Sequence, residues 1–242
     1  MLSIGLEVGR ARLPPLLLHD DPTEMTTLSP PAKQVRAEPR WPALMGLVAV
    51  GFLNLAIPER LTLGPNWLIL VVIALLLVPT IASHRQRQLR LNFVLGIVLS
   101  SVITITLVWS LLFLIAGIPE KREPPLELLR GAAALWASNI LVFASWYWRL
   151  DAGGPHVRDL QNTHIPGAFL FPQMLLPKHM MRGPAWKPGF VDYLFLAFNA
   201  STAFSPADTP VLSRWAKLLM MVQSCISLGT IAILAARAIG AF

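Results

Sequence analysis

The sequence predicts an all-α fold: a polytopic transmembrane helical bundle of five long spans plus one short span or re-entrant half-helix. Three observations predict it. Uncharged apolar runs recur, and residues 66–82 and 92–118 contain no Asp, Glu, Lys or Arg. About 20 apolar residues of helix cross the roughly 30 Å of bilayer hydrocarbon. The chain is 55% hydrophobic and 14% charged, against about 25% charged in a soluble domain. Its basic residues and tryptophans flank the apolar runs, as in membrane proteins that set their orientation by charge and anchor at the interface with amphipathic rings.

Residues 1–40 form a basic, Pro- and Thr-rich tail without helical period (DDPTEMTTLSPPAKQVRAEPR), expected to be disordered. No basic stretch ahead of a sustained apolar run marks a signal peptide, so the first span is expected to insert the chain. Residues 41–150 are read as a four-helix transmembrane region. Its first span, 41–58, runs from Arg40-Trp41 to Pro58-Glu59-Arg60. The second, 65–83, has Trp67 near its start. The third, 91–118, is long enough to tilt. The fourth, 126–150, ends in Trp146-Tyr147-Trp148-Arg149, read as an aromatic belt with a positive anchor. Residues 151–189 are read as a cytoplasmic loop. Its Asp151-Ala-Gly-Gly-Pro155 breaks the helix, and its apolar stretch 165–177 (IPGAFLFPQMLLP) is expected at the interface or under the bundle. The last span is 215–241, preceded by the short apolar segment 190–204.

Charge sets the orientation. The tail, the loop after the second span and the long loop carry thirteen Lys and Arg; the alternate loops carry six, namely Arg60, Lys121, Arg122, Arg130, Arg214 and Lys217. The bias places the N-terminus in the cytoplasm. Segment 190–204 is expected to cross, because that puts Arg214 and Lys217 outside and Arg237 inside.

The net charge is +7, but no basic-aromatic patch accompanies it, so the expected partner is the lipid bilayer and no nucleic acid. The single cysteine, Cys225, lies in an apolar run, where a small packed side chain is the expected role. His156, His164 and His179 share the long loop with Asp151 and Asp159, but their spacing fits no metal motif. No nucleophile elbow, Walker loop, zinc-protease helix or dinucleotide fingerprint occurs. No enzyme activity, catalytic residue, metal or cofactor is therefore expected. No charge falls in the middle of the long spans, which speaks against a proton pump or voltage sensor.

The candidate polar interior comprises Asp192, Asn199, Ser201, Thr202 and Asp208 near the C-terminus, with Asn139 and Gln223 inside long spans. An amide left unpaired in lipid is costly. In 190–204, Val191, Leu194, Phe195 and Phe198 recur at helical spacing, so the segment is expected to be a helix packed in the bundle. Asp192, Asn199 and Thr202 form another stripe, expected to face protein or water. Ala232, Ala236 and Gly240 lie four apart on the last helix, a spacing that lets helices approach closely. Packing within the chain is the expected use, and a homo-oligomer through the same face is the alternative.

Residues 192–240 resemble the pore region of potassium channels in outline: a short helix opening with Asp192 and Tyr193, then Phe195, Phe198, Ser201 and Thr202, Asp208 at the place of the channels' Asp-x-x-Pro turn, Arg214, and an inner helix rich in small residues. The Thr-Val-Gly-Tyr-Gly-Asp filter is replaced by Ala203-Phe204-Ser205-Pro206-Ala207-Asp208. The filter's carbonyls strip the ion's water and its glycines take positive φ, whereas proline holds φ near −65°. Together with Trp146-Tyr147-Trp148-Arg149-Leu-Asp-Ala-Gly-Gly, the segment more closely resembles an uncharacterised family of bacterial multi-pass membrane proteins with a degenerate, pore-like end. That resemblance covers 91–240 and implies the bacterial inner membrane and no particular activity. The expected function is a degenerate channel-like module for passive small-solute or ion passage. The alternatives are a small-molecule transporter with a site near Asn139 and Gln223, or a structural or assembly membrane protein.

A cysteine introduced in the tail, Thr26→Cys, is expected to react with a membrane-impermeant maleimide only from the cytoplasmic side. Labelling from outside intact cells would reverse the predicted orientation.

Overall fold

In the computed structural model the described residues are 38–86, 88–116, 125–160, 167–177, 186–202 and 208–239. The chain divides into Met1–Gln34 and Val35–Phe242, and every described residue belongs to the second unit. The described residues form helices α1 Trp41–Asn54, α2 Leu68–Arg85, α3 Leu89–Ala116, α4 Pro125–Leu150, α5 Pro155–Leu160, α6 Phe190–Thr202 and α7 Arg214–Ile239. Short 3-10 turns lie at Glu59–Leu61, Asp151–Gly153 and Pro172–Leu175. One isolated antiparallel bridge pairs Phe169 with Val211.

Among the described residues three helices are long and apolar enough to cross a membrane: Leu89–Ala116, Leu126–Gly153 and Arg214–Ala236. Trp41–Asn54 and Leu68–Ser83 are shorter apolar helices. The first ends at Asn54 rather than at Pro58, because Asn54 turns its amide onto the Asn66 carbonyl (2.8 Å) and the chain enters tight turns there.

Helix α4 is central, packing against α1, α3, α6 and α7, while α2 packs against α1 and α3. Its sequence explains this. Ala132, Ala134, Ser138, Ala144 and Ser145 are buried, and small side chains let neighbouring backbones come close where lipid supplies no hydrophobic drive. The outer faces carry the opposite chemistry: Leu75 and Val78 of α2, Ile105 and Leu112 of α3, and Leu218, Met221 and Leu228 of α7 are exposed. So continuous an apolar exterior suits hydrocarbon, not water.

Several expectations are corrected. Trp146, Tyr147 and Trp148 are not an interfacial belt. Tyr147 and Trp148 are buried, and the Trp146 indole N–H donates to Thr104 Oγ1 (2.9 Å). Arg149 is buried rather than a solvated anchor. Residues 38–40 of the tail are tied to the bundle through Glu38 and Arg40, while 1–37 lie outside the described residues. The apolar stretch of the long loop packs under the bundle, burying Ala168, Phe169 and Phe171. Ala232 and Ala236 face outward instead of packing within the chain, and Gly240 lies outside the described residues.

The largest correction concerns α6, which does not lead to the opposite end of the bundle. Its first turn is held at the end where α4 finishes, by Tyr193 O–H donating to Asp151 (2.6 Å). The start of α7 is held at the same end: Leu212 N–H donates to the Ala168 carbonyl (2.7 Å), Leu170 N–H to the Pro210 carbonyl (3.0 Å), and Trp215 packs edge-on against Phe169. Phe169 also meets Tyr193. Both helices therefore start at one end and run parallel. Gln223 reaches Ala197 and Ser201, and Ser224 reaches Ala200. Thirteen residues of α6 advance about 20 Å. The 11 residues 203–213 can span about 36 Å when extended, enough to return.

This geometry predicts labelling in a Cys225→Ser background. Asp208→Cys and Leu175→Cys, both at exposed positions, should react from the same side, and Leu63→Cys, between α1 and α2, from the other. If Asp208→Cys reacted with Leu63→Cys instead, α6 would cross.

Candidate functional site

Two buried polar clusters organise the bundle. The first lies inside it, where α4, α6 and α7 meet. Gln223 is fully buried and donates to the Ala197 carbonyl (2.7 Å) and Ser201 Oγ (2.8 Å). Its side-chain oxygen accepts from Tyr147 O–H (2.5 Å). Asn139, also fully buried, donates to the Gln223 carbonyl (3.1 Å) and Ser227 Oγ (2.8 Å), leaving its own Oδ1 without a partner. Gln223 lies nine positions into α7, about 13 Å from the helix start.

Of the predicted polar interior, the fold brings together Asn139, Gln223 and Ser201. It does not bring the others. Asp192 sits in the first turn of α6, where it accepts the Gly189 N–H (2.8 Å); a carboxylate there complements the helix dipole. Asn199 is half-buried and makes no side-chain hydrogen bond among the described residues. Thr202 is exposed and donates to the Phe198 carbonyl of its own helix (2.9 Å). Asp208 is exposed on the return. The filter-equivalent residues 203–207 lie outside the described residues.

The inward stripe of α6 is thus not the expected Asp192, Asn199 and Thr202 but a neighbouring one. Val191 (64% exposed), Phe195 (57%) and Phe198 point outward, while Tyr193, Ala197, Ala200 and Ser201 face α4 and α7. The cause is the solvent. Hydrocarbon accepts large apolar side chains, so the interior takes small residues that allow close approach and polar ones that need partners.

The second cluster closes the end where α4 stops. Asp151 is fully buried and accepts the Ala168 N–H (2.5 Å) and the Tyr193 hydroxyl. A Cβ at Gly167 would overlap its carboxylate, so that position needs glycine. The chain turns away through Ala152, Gly153 and Gly154, all at positive φ, which two glycines tolerate readily. Arg158, also buried, donates to the Trp148 and Asp151 carbonyls (both 2.9 Å) and to Glu38 (3.2 Å). Glu38 accepts the Trp148 indole N–H (2.5 Å), Arg40 pairs with Asp159, and Lys187 donates to the Arg158 carbonyl (2.9 Å). Burial pulls the Arg40 guanidinium below its ordinary range; the Asp159 and Glu38 carboxylates oppose that pull and Arg158 adds to it.

One cation at this end differs. Arg149 is 4% exposed, lies against Gly96, where a Cβ would overlap the guanidinium, and stacks near the Trp148 ring (5.5 Å). It pairs with no carboxylate among the described residues, and its Nε has no acceptor. It lines two adjoining cavities.

Sequence reasoning missed Tyr147, Tyr193, Arg158 and Arg149 as interior polar groups. The available signal was the density of charge and aromatic rings in the last turn of α4 and just past it. Among the described residues no three His, Cys, Asp or Glu converge as a metal site; His156 meets the Asn92 side chain instead (3.2 Å). Comparison with family models, curated proteins and solved structures gives no match.

These contacts predict unequal tolerance. Gln223→Leu should leave the buried Tyr147 and Ser201 hydroxyls without the partner they have in Gln223, at about 1–3 kcal/mol per group. Asn199→Leu should change stability by about 0.5 kcal/mol or less. Thermal unfolding in one detergent compares them, and equal losses would remove the central role of Gln223.

Proposed function

We propose that the chain is a multi-pass, non-enzymatic protein of the bacterial inner membrane. Its N-terminus is cytoplasmic, α1, α2, α3, α4 and α7 cross, and α6 enters from the cytoplasmic side as a half-helix. Charge supports this arrangement. A returning α6 moves Arg214 and Lys217 to the side that already holds thirteen basic residues, leaving Arg60, Lys121, Arg122, Arg130 and Arg237 opposite. That strengthens the positive-inside bias.

Within this arrangement the half-helix acts as a structural and assembly element. The observation that carries this is the state of Gln223: its oxygen and both donated hydrogen bonds are taken up by Tyr147, Ala197 and Ser201. A side chain saturated by its own fold holds α6 against α4 and α7 and leaves nothing to coordinate a passing solute. The exposed Ala232 and Ala236 of α7 fit association with a second copy, since small residues allow close helix approach.

Passive passage is the second reading, favoured by one feature. The C-terminal end of α6 stops about 20 Å in, well short of a full crossing, and the negative end of a helix dipole attracts cations. The pore-like outline of 192–240 suits the same reading.

Size determination in detergent, followed by flux from liposomes, separates the alternatives. A structural element should release ions and small solutes no faster than empty liposomes and should run as a defined oligomer. Unsaturable flux would favour the channel-like module, and saturable flux a transporter.

A further inference from the structure

We infer that the groove beside Arg149 binds the phosphate headgroup of an anionic phospholipid from the leaflet at the α4 carboxyl end. The inference needs only that the bundle lies in a bilayer, and stands whether or not α6 is a structural element.

The first observation is the unpaired cation. A buried guanidinium without an anion is costly, and such groups are normally paired. The described carboxylates at this end are already engaged: Glu38 by Arg158 and Trp148, Asp159 by Arg40, Asp151 by Tyr193 and Ala168, and Asp192 by the Gly189 N–H. Arg149 is left with one aromatic face and an Nε that has no acceptor. Its position is held from behind by Gly96, which gives the guanidinium room between α3 and α4.

The second observation is the space in front of it. A cavity of about 380 Å³ lies between the start of α3 and α5, with Arg149 among its lining residues. Its walls are chiefly apolar: Phe93, Val94, Val157 and Leu160. Leu160 is 78% exposed and Val94 54%, so the groove opens sideways toward hydrocarbon. Arg90, at the first turn of α3, adds a second cation to the lining. A smaller cavity continues past Arg149 to Arg40 and Asn92.

A buried cation beside the recess, apolar walls and a lateral opening match an anionic amphiphile. The phosphate would meet Arg149, with Arg90 nearby, and an acyl chain would follow Phe93, Val94 and Leu160. Guanidinium suits phosphate because it donates two parallel N–H bonds. Anionic lipids concentrate at the basic face of a membrane protein. A free phosphate shares the headgroup chemistry but makes no use of the apolar walls, and the lateral opening favours the lipid.

The test uses the full chain, delipidated and returned to nanodiscs. Phosphatidylglycerol nanodiscs should raise the unfolding temperature above that in phosphatidylcholine, and native mass spectrometry should find phosphatidylglycerol retained. Arg149→Gln should remove that difference and weaken retention about tenfold, the effect of losing one charge-assisted hydrogen bond. Leu160→Glu, at the exposed mouth, puts a carboxylate in the acyl path. It should abolish retention while leaving stability in phosphatidylcholine unchanged, which keeps the test decisive should Arg149→Gln fail to fold. Equal retention by wild type and Leu160→Glu would overturn the proposal. So would equal stabilisation by inorganic phosphate in phosphatidylcholine nanodiscs, which would indicate a phosphate site with no lipid component.

Discussion

A carboxylate buried at the end of α4 governs how the C-terminal third of the chain is laid down. Asp151 has no solvent, so its oxygens must find donors inside the protein. They find the Ala168 N–H and the Tyr193 hydroxyl. The first bond fixes loop residues 168–170, against which the approach to α7 pairs through Leu212 and Pro210. The second fixes the opening turn of α6. Two helices far apart in sequence from α4 are thereby started from the same end, and their parallel course follows from that.

The inner cluster completes what the end cluster begins. Once α6 and α7 run side by side, Gln223 lies level with Ala197 and Ser201 and bridges to Tyr147 on α4. A neutral amide suits such a place, because it makes several hydrogen bonds without the desolvation cost of an ion. The charged residues gather where α4 ends, beside the tail and the long loop, and the uncharged polar groups go deeper.

Arg149 departs from this division. Its neighbour Arg158 is equally buried but lies against two carbonyls and the Glu38 carboxylate. Arg149 has Trp148 and the space left by Gly96. The difference arises because Arg158 points from α5 toward the Glu38 carboxylate and the carbonyls at the end of α4, while Arg149 points from α4 across to α3, which offers no acid there. The outer faces of α2, α3 and α7 show the complementary logic: they carry large apolar residues because a bilayer, unlike water, imposes no penalty on them.

The sequence alone determined the helical class, the apolar segments and the places where they break. These depend on local composition: uncharged runs in α2 and α3, and the two glycines after Asp151 that admit positive φ. It also singled out Asn139, Gln223 and Ser201, since a polar group within an apolar run must find a partner. Tertiary structure decided which way α6 faces and where it leads. Apolar periodicity marks the buried side of a helix only when the surroundings are water. In hydrocarbon Phe195 and Phe198 turn outward as readily as inward, and the inward side of α6 belongs to Ala197, Ala200 and Ser201. The return of the chain to its starting end rests on contacts between Asp151, Ala168, Tyr193 and Leu212. No local property of the segment encodes those contacts, because each joins residues brought together only when α4, the loop and both C-terminal helices have packed.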